Sequence, residues 1–282
     1  GLRVGDLFSP KFMEKYNALV EKHKTILDHY PDFTYDISEY ETPWMKAIEI
    51  LKELKAVDSE QYINDAIKAG KKILAEGAQG TMLDIDFGTY PFVTSSNTVT
   101  AGTCTGLGVA PTKIGNVIGI FKAYCTRVGS GPFPTELEDE VGERIRKEGS
   151  EFGATTGRPR RCGWIDLPQM KYAIMVNGVS ELSMMKADVL DKFDTIRVCT
   201  HYIIDGERYD YFPYDVNDVE VIPVYEDFKG WNCDTTKLSS FDDAPKELKD
   251  YVTYLERNLE VPITVVSVGP DRKQTLNNKV LA

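Results

Sequence analysis

The sequence predicts an α/β protein with a large, mostly parallel sheet flanked by helices. After residue 70, apolar runs of strand length alternate with stretches of helical periodicity, which is typical of βαβ units. The 282 residues are 42% apolar and 27% charged, a composition that can bury a sizeable core. No run reaches the roughly 18 apolar residues that a membrane helix needs. These observations favour a soluble α/β fold.

We expect one domain, with a helical subregion over residues 1–70 and an α/β portion over residues 71–282. Ser9-Pro10 is a cap followed by a proline, which is typical of a helix start, and Thr42-Pro43 opens a second helix in the same way. A third helix is predicted over Ser59–Ala69, where a glycine follows. The first portion is therefore predicted to be α-helical throughout.

The α/β portion contains six predicted strands and three predicted helices. The strands are Lys71–Glu76, Val117–Cys125, Leu182–Lys186, Ile196–Ile204, Val219–Tyr225 and Ile263–Val268. The helices are Glu136–Glu148, Pro168–Val179 and Pro245–Leu259, the last with Leu248, Tyr251, Val252, Leu255 and Leu259 on one face. Asp205–Asp227 contains eight acidic residues and one arginine, which indicates a solvated hairpin surface.

The charge and cysteine content exclude several classes of function. A net charge of −11 makes a general nucleic-acid or membrane binder a poor fit, because both partners are polyanions. Five scattered cysteines without a C-x-x-C pair favour free thiols in the reducing cytoplasm. The three histidines form no His-x-x-x-His pair, so neither a metal site nor a histidine base is predicted.

The segment Gly153–Trp164 carries the densest chemistry in the chain. Its residues Thr155–Gly163 include two threonines, two glycines and three arginines. Arginine binds carboxylates and phosphates bidentately, and glycines let backbone amides approach an anion. A basic surface loop that contacts RNA is the alternative, but no aromatic residues interleave the arginines. The pattern favours a site for small anions.

Three shorter motifs are consistent with nucleotide binding but are weak alone. The glycine-rich turn around Gln79 follows a predicted strand, where open α/β sheets place ligands. Asp188 of the sequence Lys186-Ala187-Asp188 can accept two N–H bonds from guanine, which adenine does not offer. Its alternative role is to cap a following helix. Ser267–Arg272 leads from a strand into a turn.

Taken together and in order, these segments resemble the adenylosuccinate synthetases, over essentially the whole chain. The resemblance rests on Gly1–Leu7, Glu76–Asn97, Lys122–Glu136, Gly153–Trp164, Lys186–Asp191 and Ser267–Arg272. It implies the P-loop-NTPase-like fold of that family. It also implies a cytoplasmic, homodimeric ligase of purine biosynthesis that joins IMP to L-aspartate, with GTP as co-substrate and Mg²⁺ as cofactor.

The resemblance also implies which residues bind each substrate. The IMP-binding residues are Gln79, Thr94, Val128 and Arg158. The aspartate-binding residues are Ala154, Thr155, Thr156, Gly157, Arg158 and Arg160. The GTP-binding residues are Arg160, Lys186, Ala187, Asp188, Ser267, Val268 and Gly269. Three positions depart from the family pattern: Phe87 replaces a frequent histidine, Pro159 interrupts the arginine run, and Ala187 replaces a leucine.

One group of family residues has no counterpart in this sequence. The family's glycine-rich phosphate loop, with its catalytic aspartate and lysine, and its phosphoryl-transfer histidine precede the segment that corresponds to Gly1–Leu7. No Gly-x-x-x-x-Gly-Lys occurs in the 282 residues. The expectation is an N-terminally truncated chain without catalytic base, acid or magnesium ligands, inactive alone. The alternative is a non-catalytic module that binds guanine nucleotide or aspartate.

Overall fold

The computed structural model describes residues 1–153 and 157–278. The chain forms two compact units, residues 1–72 and residues 73–282. The first unit contains three helices, α1 (Phe12–Leu27), α2 (Ser38–Lys52) and α3 (Ser59–Lys68). Aromatic side chains of α1 and α2 stack, with ring centroids of Tyr16 and Trp44 5.1 Å apart. The predicted helical character of the first 70 residues is confirmed.

Helix α2 begins earlier than the Thr42-Pro43 pair predicts. The Asp36 carboxylate accepts hydrogen bonds from the Ser38 amide at 2.9 Å and the Ser38 hydroxyl at 2.7 Å. A side chain that satisfies an amide at a helix start takes the role of a cap. Pro43 therefore lies inside the helix and does not open it.

The second unit contains the sheets and the remaining helices. The strands are β1 (Ile118–Lys122), β2 (Cys125–Arg127), β3 (Arg161–Gly163), β4 (Ile165–Asp166), β5 (Glu181–Met185), β6 (Thr195–Ile204), β7 (Glu207–Tyr209), β8 (Ile222–Lys229), β9 (Ile263–Ser267) and β10 (Thr275–Asn277). The helices are α4 (Ala101–Leu107), α5 (Glu140–Glu148), α6 (Leu167–Asn177) and α7 (Lys246–Leu259). The α/β class predicted from the alternating pattern is confirmed.

Three parallel strands form the part of the sheet that matters for the site. The first sheet has the order β1-β5-β9-β10, in which β1, β5 and β9 are parallel and β10 is antiparallel. A second sheet pairs β6 in parallel with β4 and antiparallel with β7 and β8. Strands β2 and β3 form a separate antiparallel pair. The carboxyl ends of β1, β5 and β9 therefore meet at one edge.

The predicted strand Val117–Cys125 is divided between two sheets. Strand β1 ends at Lys122 and β2 starts at Cys125, because β1 pairs with β5 whereas β2 pairs with β3. The break carries Tyr124 into the core, where it is 1% exposed. Apolar content predicted the extended backbone but not which neighbour each half would pair with.

Two further predictions are wrong at the level of local structure. Residues 71–76 form neither helix nor strand, and the Leu74 side chain is 86% exposed; an apolar run becomes a strand only where a neighbour pairs with it. Helix α5 starts after Asp139, whose carboxylate accepts from the Val141 and Gly142 amides at 3.0 Å. Glu136 is instead bridged to Gly163 of β3.

Two other predictions are confirmed. The five apolar residues predicted on one face of α7 are all buried in the main core, at 1% exposure or less for four of them and 4% for Leu259. The acidic stretch contains a hairpin between β6 and β7, where Asp205 and Gly206 both have positive φ, 50° and 82°. Such values are typical of the tight turns that suit hairpins.

Candidate functional site

Polar groups follow the carboxyl ends of all three parallel strands. Lys122 is the last residue of β1, Lys186 directly follows β5, and Ser267 is the last residue of β9. Lys186 has a left-handed backbone, with φ of 61° and ψ of 38°, and a 3₁₀ turn over Ala187–Leu190 follows it. Open α/β sheets bind ligands at this edge, so the predicted guanine-binding segments lie where the fold class places a ligand.

The carboxylate of Glu151 is the hub of this edge. Its Oε1 accepts from Lys122 Nζ at 2.8 Å, from Lys186 Nζ at 2.8 Å and from the Tyr124 hydroxyl at 2.6 Å. Its Oε2 accepts from Arg160 Nη1 at 2.7 Å. The Glu151 side chain is fully buried, whereas the three cationic side chains remain 25–37% exposed. One buried carboxylate thus organises three cations that reach the surface.

The donors around Glu151 keep its carboxylate ionised despite its burial. Burial by itself would raise the pKa of Glu151, but hydrogen bonds from Lys122, Lys186 and Tyr124 outweigh it and lower the pKa to about 2. Burial also lowers the pKa of Lys122, and Glu151 offsets only part of that change. An ionised carboxylate surrounded by three cations leaves a local excess of positive charge, which suits anionic ligands.

Arg160 closes the base of the arginine-rich loop. This loop runs from residue 151 to residue 160. The Arg160 amide donates to the Glu151 carbonyl at 2.9 Å, and the next pair of residues, Phe152 and Pro159, forms an antiparallel β-bridge. The Gly153 amide donates to the Arg158 carbonyl at 2.9 Å, and the Gly157 amide to the Gly153 carbonyl at 2.8 Å. The predicted aspartate-binding residues Ala154, Thr155 and Thr156 lie outside the described residues.

Two polar atoms near the hub are buried without a hydrogen-bond partner among the described residues. They are Asp188 Oδ1 and Arg160 Nε. Burial, with the nearby Asp191 charge, raises the pKa of Asp188. Asp188 lies inside the 3₁₀ turn and makes no cap bond, so its alternative role as a helix cap is wrong. A ligand with N–H donors would relieve the cost of its burial.

Strand β9 packs against the 3₁₀ turn, so the carboxyl end of β9 lies beside Ala187–Leu190. Ser267 and Val268 are buried, and the Ser267 hydroxyl donates to the Gly269 carbonyl at 3.1 Å. The Val268 amide donates to the Gln274 carbonyl at 2.9 Å. A Cβ on Gly269 would lie 2.2 Å from Gln274 Oε1, so a glycine leaves room for that side chain.

The two predicted IMP contacts Gln79 and Thr94 are hydrogen-bonded to each other. Gln79 Nε2 donates to Thr94 Oγ1 at 3.0 Å, and the Ser96 hydroxyl donates to Gln79 Oε1 at 3.3 Å. Gln79 has a φ of 70°, an unusual value for a residue with a side chain. Strain of this kind often accompanies a binding role, and it places the Gln79 amide among hydroxyl groups.

Asp84 fixes the loop that carries this pair. Its Oδ1 accepts from the Asp86 and Phe87 amides at 2.9 and 3.0 Å, and its Oδ2 from the Thr98 and Val99 amides at 2.6 and 3.1 Å. The Asp84 side chain is fully buried. Burial would raise its pKa, but the four amide donors outweigh it and lower the pKa.

Asp84→Asn is expected to lower the free energy of unfolding by about 2 kcal/mol at neutral pH, because the amide replaces an acceptor oxygen with a donor. The lowered pKa means that ionised Asp84 stabilises the fold above its unfolded pKa of about 4 and loses that effect as the pH falls through the folded pKa. Urea unfolding of the full-length protein should show the gap between wild type and variant closing at acid pH. Exposed Asp86→Asn should cost less than about 0.5 kcal/mol, and a pH-independent gap for Asp84→Asn would contradict the prediction.

Val128 follows an arginine that joins β2 to the same loop. Arg127 Nη2 donates to Thr89 Oγ1 at 3.0 Å and to the Phe92 carbonyl at 3.1 Å. Burial, with the nearby Arg161 charge, lowers the pKa of Arg127 to about 10. The Val128 side chain is 52% exposed. Arg127 therefore anchors β2 to the loop that carries Gln79 and Thr94, and Val128 is the next residue in the chain.

Arg161 has a different role from the one its place in the arginine run predicts. Its guanidinium donates to both carboxylate oxygens of Glu136, with Nε at 2.7 Å from Oε1, and to the Gly129 and Gly131 carbonyls at 3.2 and 2.8 Å. Those bonds use most of its donors. Arg161 therefore holds the turn after β2, and is not the anion ligand that the sequence predicts.

Sequence reasoning missed Glu151, Lys122, Arg127 and Asp84. Lys122 and Glu151 stand at the edges of segments that carry the family resemblance, but no local spacing joins them.

In the part of the chain that the structure describes, no group of three or more His, Cys, Asp or Glu side chains is arranged to hold a metal ion. Among the same residues, no helix is both long and apolar enough to cross a membrane.

Comparison of the whole chain with known proteins identifies its family. A family model described as adenylosuccinate synthetase matches residues 1–276. The adenylosuccinate synthetases of Cytophaga hutchinsonii and Christiangramia forsetii are 60% and 58% identical to this chain over 277 residues, which are 98% of the chain and 64% and 66% of those proteins. The chain therefore spans about two thirds of the length of these relatives.

A solved structure supports the same assignment. The fully ligated adenylosuccinate synthetase from Plasmodium falciparum superimposes with a TM-score of 0.92 at 37% identity, covering 99% of this chain and 66% of that one. The fold implied by the resemblance is confirmed. By sequence and by fold, this chain belongs to the adenylosuccinate synthetase family.

Proposed function

We propose that this chain is the central and C-terminal part of a ligase that forms adenylosuccinate from IMP and L-aspartate with conversion of GTP to GDP and phosphate. The observation that carries the proposal is the buried, unpartnered Oδ1 of Asp188, next to the Lys186 that Glu151 fixes in place. Guanine offers two adjacent N–H donors to such a carboxylate, whereas adenine offers none in that arrangement. Ser267, Val268 and Gly269, at the end of the neighbouring strand β9, belong to the same proposed guanine site.

The reaction proceeds in two steps. The purine O6, after loss of the N1 proton, attacks the γ-phosphorus of GTP; the bond to the β-phosphate oxygen breaks and GDP leaves. The aspartate amine then attacks C6, and the C6–O bond breaks with release of phosphate. Both steps depend on positioning and charge stabilisation.

The residues of this chain serve to position the three substrates. Gln79, Thr94, Val128 and Arg158 hold IMP, and Arg158 is shared with the aspartate carboxylate. Arg160 and the loop residues Ala154, Thr155, Thr156 and Gly157 hold aspartate, and Arg160 also reaches towards GTP. Mg²⁺ would neutralise the charge of the phosphates; among the described residues, no group of three or more His, Cys, Asp or Glu side chains is arranged to hold it. A homodimer, purine biosynthesis and a cytoplasmic location belong to the same proposal.

Turnover by the full-length protein that carries this sequence tests the proposal. Adenylosuccinate should form only when IMP, aspartate and GTP are all present, and ATP should not replace GTP. The 282-residue chain alone should show no turnover, because the family's phosphate loop has no counterpart in it. The loss of one electrostatic donor already costs ~3 kcal/mol of transition-state stabilisation. Turnover by the 282 residues alone would contradict the inactivity, and a full-length protein that uses ATP equally well would contradict the guanine site.

A second candidate is a non-catalytic module that binds guanine nucleotide or aspartate. The unpartnered Asp188 Oδ1 and Arg160 Nε favour it, since both atoms gain from a ligand. Calorimetry of the 282-residue chain with GTP, ATP and aspartate separates the possibilities. This candidate requires measurable binding of GTP, tighter than that of ATP, or of aspartate; no heat with any ligand, or equal affinity for the two nucleotides, would exclude it.

A further inference from the structure

The two oxygens of Glu151 contact two different substrate-binding segments. Oε2 meets Arg160, at the base of the arginine-rich loop, and Oε1 meets Lys186, which precedes Asp188. These cations are 26 residues apart in sequence and are joined through one carboxylate. Lys122 and Tyr124 complete the set of donors to Oε1.

The residues around Glu151 hold its hydrogen-bond donors in place. The Gly149 carbonyl accepts from Lys186 Nζ at 2.7 Å, so Lys186 is held at two points. A Cβ on Gly149 would lie 2.4 Å from the Tyr124 hydroxyl and 3.2 Å from Glu151 Cγ. The absence of a side chain at residue 149 therefore makes room for both donor and acceptor. The Lys122 ammonium also lies 5.7 Å from the centre of the Tyr124 ring, within cation–π range.

We propose that Glu151 is a positioning residue that fixes Lys186 for guanine and Arg160 for aspartate at the same time. The inference rests on the proposed function, and adds to it a residue that contacts neither the reacting atoms nor the base. Lysine and arginine side chains lose much rotamer freedom when they are fixed. A buried carboxylate has already ordered the Lys186 and Arg160 side chains before any ligand arrives. Ligand binding therefore does not have to offset that loss of rotamer freedom.

Loss of the negative charge should affect both segments together. Without it, Lys122, Lys186 and Arg160 would face one another as three like charges at close range, and each long side chain would turn towards solvent. The guanine site and the aspartate site should then weaken in parallel. IMP binding should weaken less, because Gln79, Thr94 and Val128 lie outside the arginine-rich loop and only Arg158 lies within it.

Steady-state kinetics of Glu151→Gln in the full-length protein tests this role. The KM for GTP and the KM for aspartate should each rise about tenfold, the scale of one charge-assisted hydrogen bond, while the KM for IMP changes less than about twofold. Glu136→Gln is the matched control, because Glu136 also pairs with an arginine of the same segment, Arg161. That variant should leave the KM values for GTP and aspartate within about twofold of wild type.

Other results would overturn the inference. A merely structural role predicts that all three KM values shift alike, or that activity falls only with the fraction of folded protein. If Glu151→Gln does not fold, Glu151→Asp decides: it keeps the charge but is too short to reach both cations, so the KM for GTP or for aspartate should still rise, by at least about threefold. Unchanged KM values for that variant would reject the proposal, whereas an inactive wild-type protein would reject the proposed function instead.

Discussion

Asp188→Asn is expected to lower kcat/KM for GTP by about 10²–10³-fold in the full-length protein. The carboxylate can accept two N–H bonds from guanine, and each hydrogen bond to a charged group contributes about 1.5–3 kcal/mol. Asparagine keeps the shape but replaces one acceptor oxygen with a donor, which would point at a guanine N–H group. A site built to hydrogen-bond a ligand group discriminates strongly once the match is lost.

Base complementation provides the sharpest measurement of this effect. Xanthine carries a carbonyl where guanine carries its exocyclic amine, so one donor and one acceptor of asparagine match its edge. XTP should therefore support turnover by Asp188→Asn better than by the wild-type protein. Exposed Asp194→Asn, a few residues further along, should leave kcat/KM for GTP unchanged within about twofold. Equal use of GTP by wild type and Asp188→Asn would contradict the assignment of Asp188 as the residue that binds guanine.

Gly88→Ala is expected to have the second large effect, a loss of about 3 kcal/mol of unfolding free energy, the upper range for overpacking a rigid site. A Cβ at this position would lie 2.5 Å from the Asp84 carbonyl oxygen and 2.6 Å from the Met82 carbonyl oxygen. Both are backbone atoms, so no side-chain rotation relieves the clash. The loop that carries Gln79 and Thr94 would have to shift.

Gly80→Ala is the matched control in the same loop. Gly80 has an extended backbone, with φ of −178°, and a Cβ there meets nothing within 4 Å. Urea unfolding should show this variant within about 0.5 kcal/mol of wild type, and kinetics of Gly88→Ala should show a raised KM for IMP. Equal stability of the two alanine variants would show that the loop adapts to the added methyl group and would contradict the prediction.

The candidate site could be predicted from the sequence only where its residues are neighbours in the chain. Lys186 and Asp188 follow a predicted strand, and the Ser267 segment follows another. The parallel pairing of β5 with β9 brings these ends together, as the fold class leads one to expect. Arg161, by contrast, cannot be distinguished from Arg160 by residue type or spacing. Only their different carboxylate partners, Glu136 for Arg161 and Glu151 for Arg160, distinguish a structural arginine from one at the candidate site.

The α/β class, the helical first unit, the buried face of α7 and the family were all predictable from the amino-acid sequence. These follow from periodicity and from residues close together in the chain, where local geometry repeats. The division of Val117–Cys125 between two sheets, the irregular backbone of residues 71–76 and the hub at Glu151 became visible only in the folded structure. Strand pairing and ion pairing depend on contacts between distant residues, and a carboxylate such as Glu151 becomes an organising charge only when folding buries it among cations from three other segments.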